Sequence, residues 1–520
     1  MKKNYFMASV TVVAFILFGL LSNGYGRKEF STNIWGLPEA KVSQVVELRD
    51  GDTFDLTASF VKKNINGNDV RMLAYNGSIP GPALKVPQGA TVTINFKNDT
   101  DMPNTLHSHG VRMKNEFDGV PGITQKEVPV GGTFKYTLSF PDAGAYWYHP
   151  HIRDDYNIEL GLYGNFLVVP KQGSSWNSVD REVPIFIDDI LLEDGGIVPF
   201  SKSGAVRTLM GRYGNTMFVN GETDYKLAVK RGEVVRFYFT NNANVRPFNL
   251  AIDGIKLKLV GGDSGLYERD TWQDSVMINP SERVIVEVLF DTTGEYTLQN
   301  KTPDKTYTLG TFVVSGDSAI SDSVKSFSTL RPHPEVIKSI DSFRGYFNIP
   351  HQRFIKLSVD MMGSSNMGGH IMPGGVMMGG SMSTSMPKGG IEWEDTDMSA
   401  INMISSATSM AWNIIDQDTG KKNMDIDWSF KRGPVKIRIE NDATSMHPMQ
   451  HPIHFHGQRF LVINKNGVPQ TNLVWKDTVL VPAGEYVDII LDASNPGTWM
   501  AHCHILEHIE AGMMMKFKVE

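Results

Sequence analysis

Ten of the 14 histidines fall in four short runs: His107-Ser108-His109-Gly110, His149-Pro150-His151, His451-Pro452-Ile453-His454-Phe455-His456, and His502-Cys503-His504 followed by His508. On an extended strand, residues i and i+2 point to the same face, so each His-x-His pair aims two imidazoles at one place. Neutral imidazole is a common ligand for transition metals. A single pair of this kind is commonly structural or incidental. Four pairs, two near each end of the chain, read as one metal site that holds eight imidazoles. No histidine lies between residues 152 and 332, so the two ends must share that site.

Parity separates a second group. Cys503 lies between His502 and His504, so its sulfur points to the opposite face. His451, three residues before His454, can turn away from the His454/His456 pair toward that sulfur. His508 and Met513 follow Cys503 at regular spacing and offer two further donors. Two imidazoles, a thiolate and a weak thioether describe a copper electron-transfer centre; soft sulfur favours copper, and zinc has no use for a redox-poised methionine. The alternative for Met513 is a core methionine beside Met514 and Met515.

The elements that must hold these residues read as strands. After residue 45 the text is short β-branched or aromatic runs broken by Gly, Pro, Asn or Asp, with little helical periodicity. A pattern recurs within it. Gly89 leads into Thr91-Val92-Thr93-Ile94 and ends near Asn98. Gly232 leads into Val234-Val235-Arg236-Phe237 and ends at Asn241, and Gly433 leads into Val435-Lys436-Ile437-Arg438 and ends at Asn441. A second element follows each, closing at Gly144 and Tyr146, at Gly294 and Tyr296, and at Gly497 and Trp499. The expected fold is all-β, with three similar β-sandwich domains at 40–172, 178–325 and 345–520, the middle one lacking imidazole. The third repeat is delayed by a methionine-, glycine- and serine-rich stretch, Met361–Met386, expected to form a flexible or loosely helical surface insertion.

Together the four motifs resemble those of the multicopper oxidases, and the resemblance covers nearly the whole chain after its N-terminal segment. It implies cupredoxin-like Greek-key sandwiches and four copper ions. By motif position, type 1 copper would be held by His451, Cys503 and His508 with Met513 axial, and type 2 copper by His107 and His454. The type 3 pair would be held by His109, His149 and His504 on one ion and by His151, His456 and His502 on the other. The implied chemistry is one-electron oxidation at the type 1 centre, transfer through Cys503 to His502 and His504, and four-electron reduction of dioxygen to water. Asp118 falls where the family keeps an acidic residue and is given a proton-handling role. There are departures: Ser108 replaces a common Trp and is expected to matter little, and Ile509 stands where bacterial members often have a proton-delivering Glu.

The electron donor is a separate question. The Met361–Met386 stretch is rich in thioethers suited to Cu(I) and contains His370, while Met449 and His447 shortly precede His451. This is similar to the copper-efflux (cuprous) oxidases, whose methionine-rich segment begins beside a substrate-copper site. Asp360, Met361 and Met362 are the nearest matches here; His447 stands where that group usually has an acidic residue. If the methionines are only a lid or linker, a phenol-oxidising laccase or a ferroxidase is the alternative. A copper-storage or structural envelope protein is the non-enzyme alternative, against which the complete ligand set argues.

The bulk properties fit an exported oxidase. A chain of 520 residues exceeds a single core. A formal charge of −7 without a dense basic run argues against nucleic acid as a partner. Lys2 and Lys3, an apolar run to Leu21, and Gly24-Tyr25-Gly26 have the order of a secretory signal over residues 1–26, with an uncleaved anchor as the alternative. The expected setting is the periplasm. The expected state is a monomer, not stably membrane-bound once that segment is removed, meeting dioxygen and one-electron donors.

Overall fold

The computed structural model describes residues 30–171, 176–319, 321–361, 370–371, 377–378, 387–395 and 406–520. The 1–26 segment, Met362 and most of the methionine-rich stretch lie outside these residues. Among the described residues no helix is long and apolar enough to cross a membrane.

Three pairs of sheets follow one another along the chain, and one sheet of each pair repeats the same order. In the third pair, Asp427–Phe430 lies parallel to Met514–Val519, which pairs antiparallel with Gly497–Cys503, which pairs with His451–Phe455. In the first, the corresponding strands are Ala83–Pro87, Gly164–Val169, Gly144–His149 and His107–His109. In the second they are Tyr225–Arg231, Thr306–Ser318, Gly294–Lys301 and Phe248–Ile252. The last two strands of each set carry the histidine motifs in the first and third pairs; in the second pair the same two strands carry none. The middle pair therefore keeps the scaffold and omits the ligands.

The repeat residues explain how the loops before these motif strands are set. Asn98 donates its side-chain amide to the carbonyls of Met102 and Val128, Asn241 to those of Arg246 and Ile278, and Asn441 to those of Met449 and Val481. Each asparagine is buried. Each satisfies backbone acceptors of the segment leading into a motif strand and of a second segment beside it, which would otherwise be left unpaired.

Packing joins the three pairs. One continuous apolar cluster runs through the first and third pairs, while the second has its own core of residues such as Phe237, Phe290 and Phe312. Strand Glu233–Asn241 is buried along its whole length because it is covered on both faces. Phe237 and Phe239 face the second core, whereas Tyr238 packs with Ala145 and Leu167 of the first pair. Helix Pro334–Asp341 lays Ile340 on Leu461, Leu473 and Trp475 of the third pair, so the connecting segment is itself a packed element.

The stretch expected as a loose insertion starts inside a core sheet. Met361 ends strand Arg353–Met361, which pairs with Met410–Asp416. Its four other described residues form a short antiparallel pair, His370–Ile371 with Met377–Met378, and not a helical turn.

Phe237 is fully buried, with ring centroids 5.6 Å from Phe239 and 5.2 Å from Phe312. Phe237→Ala should destabilise the second sheet pair by about 3–5 kcal/mol, because the cavity left behind adds to the lost transfer energy. Chemical denaturation followed by intrinsic fluorescence measures this.

Candidate metal centres

Strand register sorts the C-terminal ligands. His454 sits opposite His502, and Ile453 opposite Cys503. His451, two residues before Ile453, therefore shares its face with Cys503, while His454, His456, His502 and His504 share the other. In the first pair, His107 sits opposite His149 and Ser108 opposite Tyr148. Ser108 thus lies on the face away from the imidazoles, as its parity predicts.

The sulfur-containing group is compact and fully enclosed. The Cys503 Sγ lies 3.6 Å from His451 Nδ1 and 3.7 Å from His508 Nδ1, and the two nitrogens are 3.3 Å apart. His508 Nε2 donates to the Leu209 carbonyl at 3.3 Å, which leaves its Nδ1 lone pair facing the sulfur. The Ile505 N–H donates to the sulfur at 3.4 Å. Met513 is fully buried, and its carbonyl accepts the Cys503 N–H at 3.1 Å, so it adjoins this group. The Trp412 ring stacks on His508 at 4.1 Å and meets His451 edge-on at 4.8 Å, fixing both rings. Burial pushes the Cys503 thiol up, a cost that a bound cation reverses.

The other eight imidazoles converge from both ends of the chain. His107 stacks on His456 at 4.1 Å and His109 on His454 at 3.7 Å. His151, His456 and His502 bring ring nitrogens within 4.8 Å of one another, as do His107, His109 and His149, and His107, His454 and His456. His504 lies 5.2 Å from His109 and 5.3 Å from His149, measured between ring centroids.

Hydrogen bonds decide which nitrogen of each ring is free. The Nδ1 atoms of His107, His149, His454 and His502 reach the carbonyls of Asp118, Pro150, Asp477 and Cys503 at 2.7, 2.7, 2.8 and 2.7 Å. His456 Nδ1 reaches Asp118 Oδ2, and His109 Nε2 reaches Asp477 Oδ1, both at 3.0 Å. His151 Nδ1 lies 3.4 Å from Asp154 Oδ2. The opposite nitrogens of His107, His109, His149, His151 and His454, and Nε2 of His504, are buried without a hydrogen-bond partner among the described residues. His456 Nε2 and His502 Nε2 face each other at 2.9 Å, although both rings place a proton on Nδ1. Two bare lone pairs at that separation repel unless a cation lies between them. Desolvation, followed by neighbouring imidazoles, holds most of these rings well below the usual histidine range, so they are neutral donors. In His502 the pull is to about 4, again led by desolvation. This donor set fits metal ions of the copper type, with most of the rings held by an outer acceptor.

Sequence reasoning missed several of those outer partners. Asp477, Asp154, Trp412 and Leu209 carry no motif signal; Leu209 belongs to the histidine-free middle region. Asp118 was expected, and the chain brings it beneath two rings. Gly119 beside it has φ +84, and a Cβ there would lie 2.1 Å from the Leu106 carbonyl oxygen, so only glycine lets this loop close on His107. Ile509 is buried; Glu507 accepts from Asn244 at 2.8 Å, and Glu510 is exposed.

The expected donor-side residues fall in two places. Asp360 is exposed and pairs with Lys422 at 2.7 Å. His447 and Met449 are buried near the sulfur group. Neither ring nitrogen of His447 has a hydrogen-bond partner among the described residues, and Glu392 Oε1 lies 3.9 Å from its Nε2. Glu392 was not singled out from sequence, since it lies beyond the end of the methionine-rich stretch in a segment without a motif.

Comparison with known proteins agrees with this geometry. Profiles described as multicopper oxidase match residues 58–173, 200–317 and 394–520. A Pseudomonas syringae pv. tomato protein named copper resistance protein A homolog is 26% identical across 90% of this chain and 92% of its own length. Multicopper oxidase mco of Staphylococcus epidermidis is 27% identical across 88% of this chain and 86% of its own. The solved multicopper oxidase of Campylobacter jejuni, described as a metallo-oxidase, shares the fold with a TM-score of 0.67 at 23% identity, covering 94% of this chain and 99% of that one. With three matching profiles that together span most of the chain, and with ligand-competent imidazoles from both of its ends, this protein belongs to the multicopper oxidase family and is a copper-dependent oxidase.

Proposed function

We propose that this chain is an exported enzyme that oxidises cuprous ion for copper tolerance and passes the electrons to dioxygen. In this reading its units are 40–172, 178–325 and 345–520, and it works in the periplasm as a monomer. His451, Cys503, His508 and Met513 hold type 1 copper; His107 and His454 hold type 2. His109, His149 and His504 hold one type 3 ion, and His151, His456 and His502 hold the other. When bound, the four coppers store four electrons, matching the reduction of dioxygen to water. Cys503 carries electrons through its backbone to His502 and His504; the hydrogen bond from His502 Nδ1 to the Cys503 carbonyl at 2.7 Å supports that path. Asp118 orients His107 and His456 and keeps Oδ1 without a hydrogen bond, which suits it to hold a proton there.

The observation that carries the donor assignment is His447 facing Glu392, with both ring nitrogens of His447 and the Glu392 Oε2 without a hydrogen-bond partner among the described residues. A cation with nitrogen, oxygen and thioether donors would satisfy them, and Met449 is adjacent in sequence. The printed name of the Pseudomonas syringae relative, a copper resistance protein, is consistent with copper as donor. Asp360, Met361 and Met362 are proposed to take part in binding the same donor. Laccase or ferroxidase activity is the competing reading.

Oxygen uptake with Cu(I), Fe(II) and a phenol separates these donors. Deleting Met361–Met386 should lower Cu(I) turnover and raise activity on bulky phenols. Intact Cu(I) turnover together with reduced phenol turnover would reject the cuprous assignment.

Burial, then Asp395, raises the Glu392 carboxyl to about 7. Its anionic form is therefore gained as pH rises through that value, and affinity for a cationic donor should rise with it. KM for Cu(I) measured across this range should fall in the parent and stay flat in Glu392→Gln.

Cys503→Ser should abolish the intense visible copper–thiolate absorption and remove one copper per chain. Near-zero copper in the reconstituted parent would reject the oxidase site as a whole.

A further inference from the structure

Two buried side chains of the middle sheet pair meet Asp477 behind the imidazole cluster: Arg283, and Asp263, which accepts the Asp477 N–H at 3.3 Å. Arg283 opens strand Arg283–Phe290 and is fully buried. Its Nε donates to the Ala145 carbonyl of the first pair at 2.8 Å, on the strand that ends in His149. Its Nη1 donates to the Ser281 carbonyl at 2.9 Å and to Asp477 Oδ1 at 2.7 Å, and its Nη2 donates to Asp477 Oδ2. One guanidinium thus ties all three sheet pairs together.

Asp477 is the other half of the device. Its Oδ1 accepts from Thr478 at 2.9 Å and from His109 Nε2 at 3.0 Å, and its carbonyl accepts from His454 Nδ1 at 2.8 Å. The proton on His109 Nε2 leaves Nδ1 bare, and that atom is buried without a partner. Among the eight rings of the imidazole cluster, His109 is the one whose Nε2, and not Nδ1, meets its acceptor in the described residues. Gly110 packs against the same pair: at φ +80, a Cβ there would lie 2.2 Å from Asp477 Oδ2 and 2.8 Å from Arg283 Nη2. The glycine closing the first motif is therefore explained by the ion pair and not by the turn alone.

We propose that Arg283 is a positioning residue for the oxygen-reducing cluster. Its bidentate grip fixes both oxygens of Asp477, and Asp477 in turn fixes the tautomer of His109 and the direction of His454. The histidine-free middle region is by this account part of the copper site's support. Lysine cannot reproduce the planar fork, so Arg283→Lys should restore charge but not orientation. This inference rests on the ligand assignment proposed above.

The test uses the full-length, copper-loaded enzyme and compares Arg283→Gln, Arg283→Lys and Asp477→Asn with the parent. Three readouts are taken: copper retained against a chelator, near-UV absorption and magnetic resonance of the cluster, and visible absorption of the copper–thiolate group. Arg283→Gln should weaken copper retention by the cluster about 10- to 100-fold and alter its near-UV band, leaving the visible absorption unchanged. Arg283→Lys should recover only part of this, and the Arg283→Gln and Asp477→Asn effects should not add. Unchanged cluster signals in Arg283→Gln overturn the proposal, as does loss of both absorptions in parallel, which marks a general folding role. If Arg283→Gln does not accumulate as folded protein, Arg283→Lys and Asp477→Asn decide on the same signals. A parent without the cluster's near-UV band would instead overturn the ligand assignment itself.

Discussion

Burying ten imidazoles is the constraint on which the rest of this molecule depends. Each ring taken out of water keeps one N–H that must be accepted and one lone pair that must be used. The chain meets the first need with backbone carbonyls of Asp118, Pro150, Asp477, Cys503 and Leu209, and with the carboxylates of Asp118 and Asp477. The second it leaves pointing inward, where a metal ion could use it. Most acceptors are main-chain atoms of the strands and loops that carry the rings, so sheet register and ring orientation are set together.

That arrangement explains why two separated sequence regions must be held in fixed relation. The imidazole cluster lies where the first and third sheet pairs meet, and its rings stack across that junction, as His109 does on His454. A continuous apolar cluster supplies most of the association. Polar groups supply its precision. Arg112 and Arg459 share Asp142 across the first and third pairs, and Lys476 of the third pair reaches Asp263 and Glu282 of the second at 3.1 and 3.3 Å.

The two centres meet different demands. The imidazole cluster is enclosed, with all eight of its rings buried. The sulfur group is also buried, but it sits beneath the segment bearing His447, Met449 and Glu392, whose polar groups are not fully paired. An electron donor approaching there would reach the His451 edge without access to the cluster, and the Cys503 backbone separates the two sites by a single strand.

The sequence by itself determined the three-fold sheet repeat and the division of the motif histidines and Cys503 into two groups, because strand parity is a property of local backbone geometry. Side chains one residue apart must diverge and those two apart must align, whatever packs around them. For the same reason the asparagines ending each repeat could be found before their hydrogen bonds were known. Only the tertiary structure decided which nitrogen of each ring faces inward, that Asp477 and Asp154 stand behind histidines, and that Glu392 lies beside His447. Only tertiary structure, again, brought Arg283 and Leu209 of the middle sheet pair to centres to which that pair contributes no ligand. The longest of these contacts, Arg283 to Asp477, His508 to Leu209 and His109 to Asp477, join residues 194, 299 and 368 positions apart, and no local periodicity encodes such an interface.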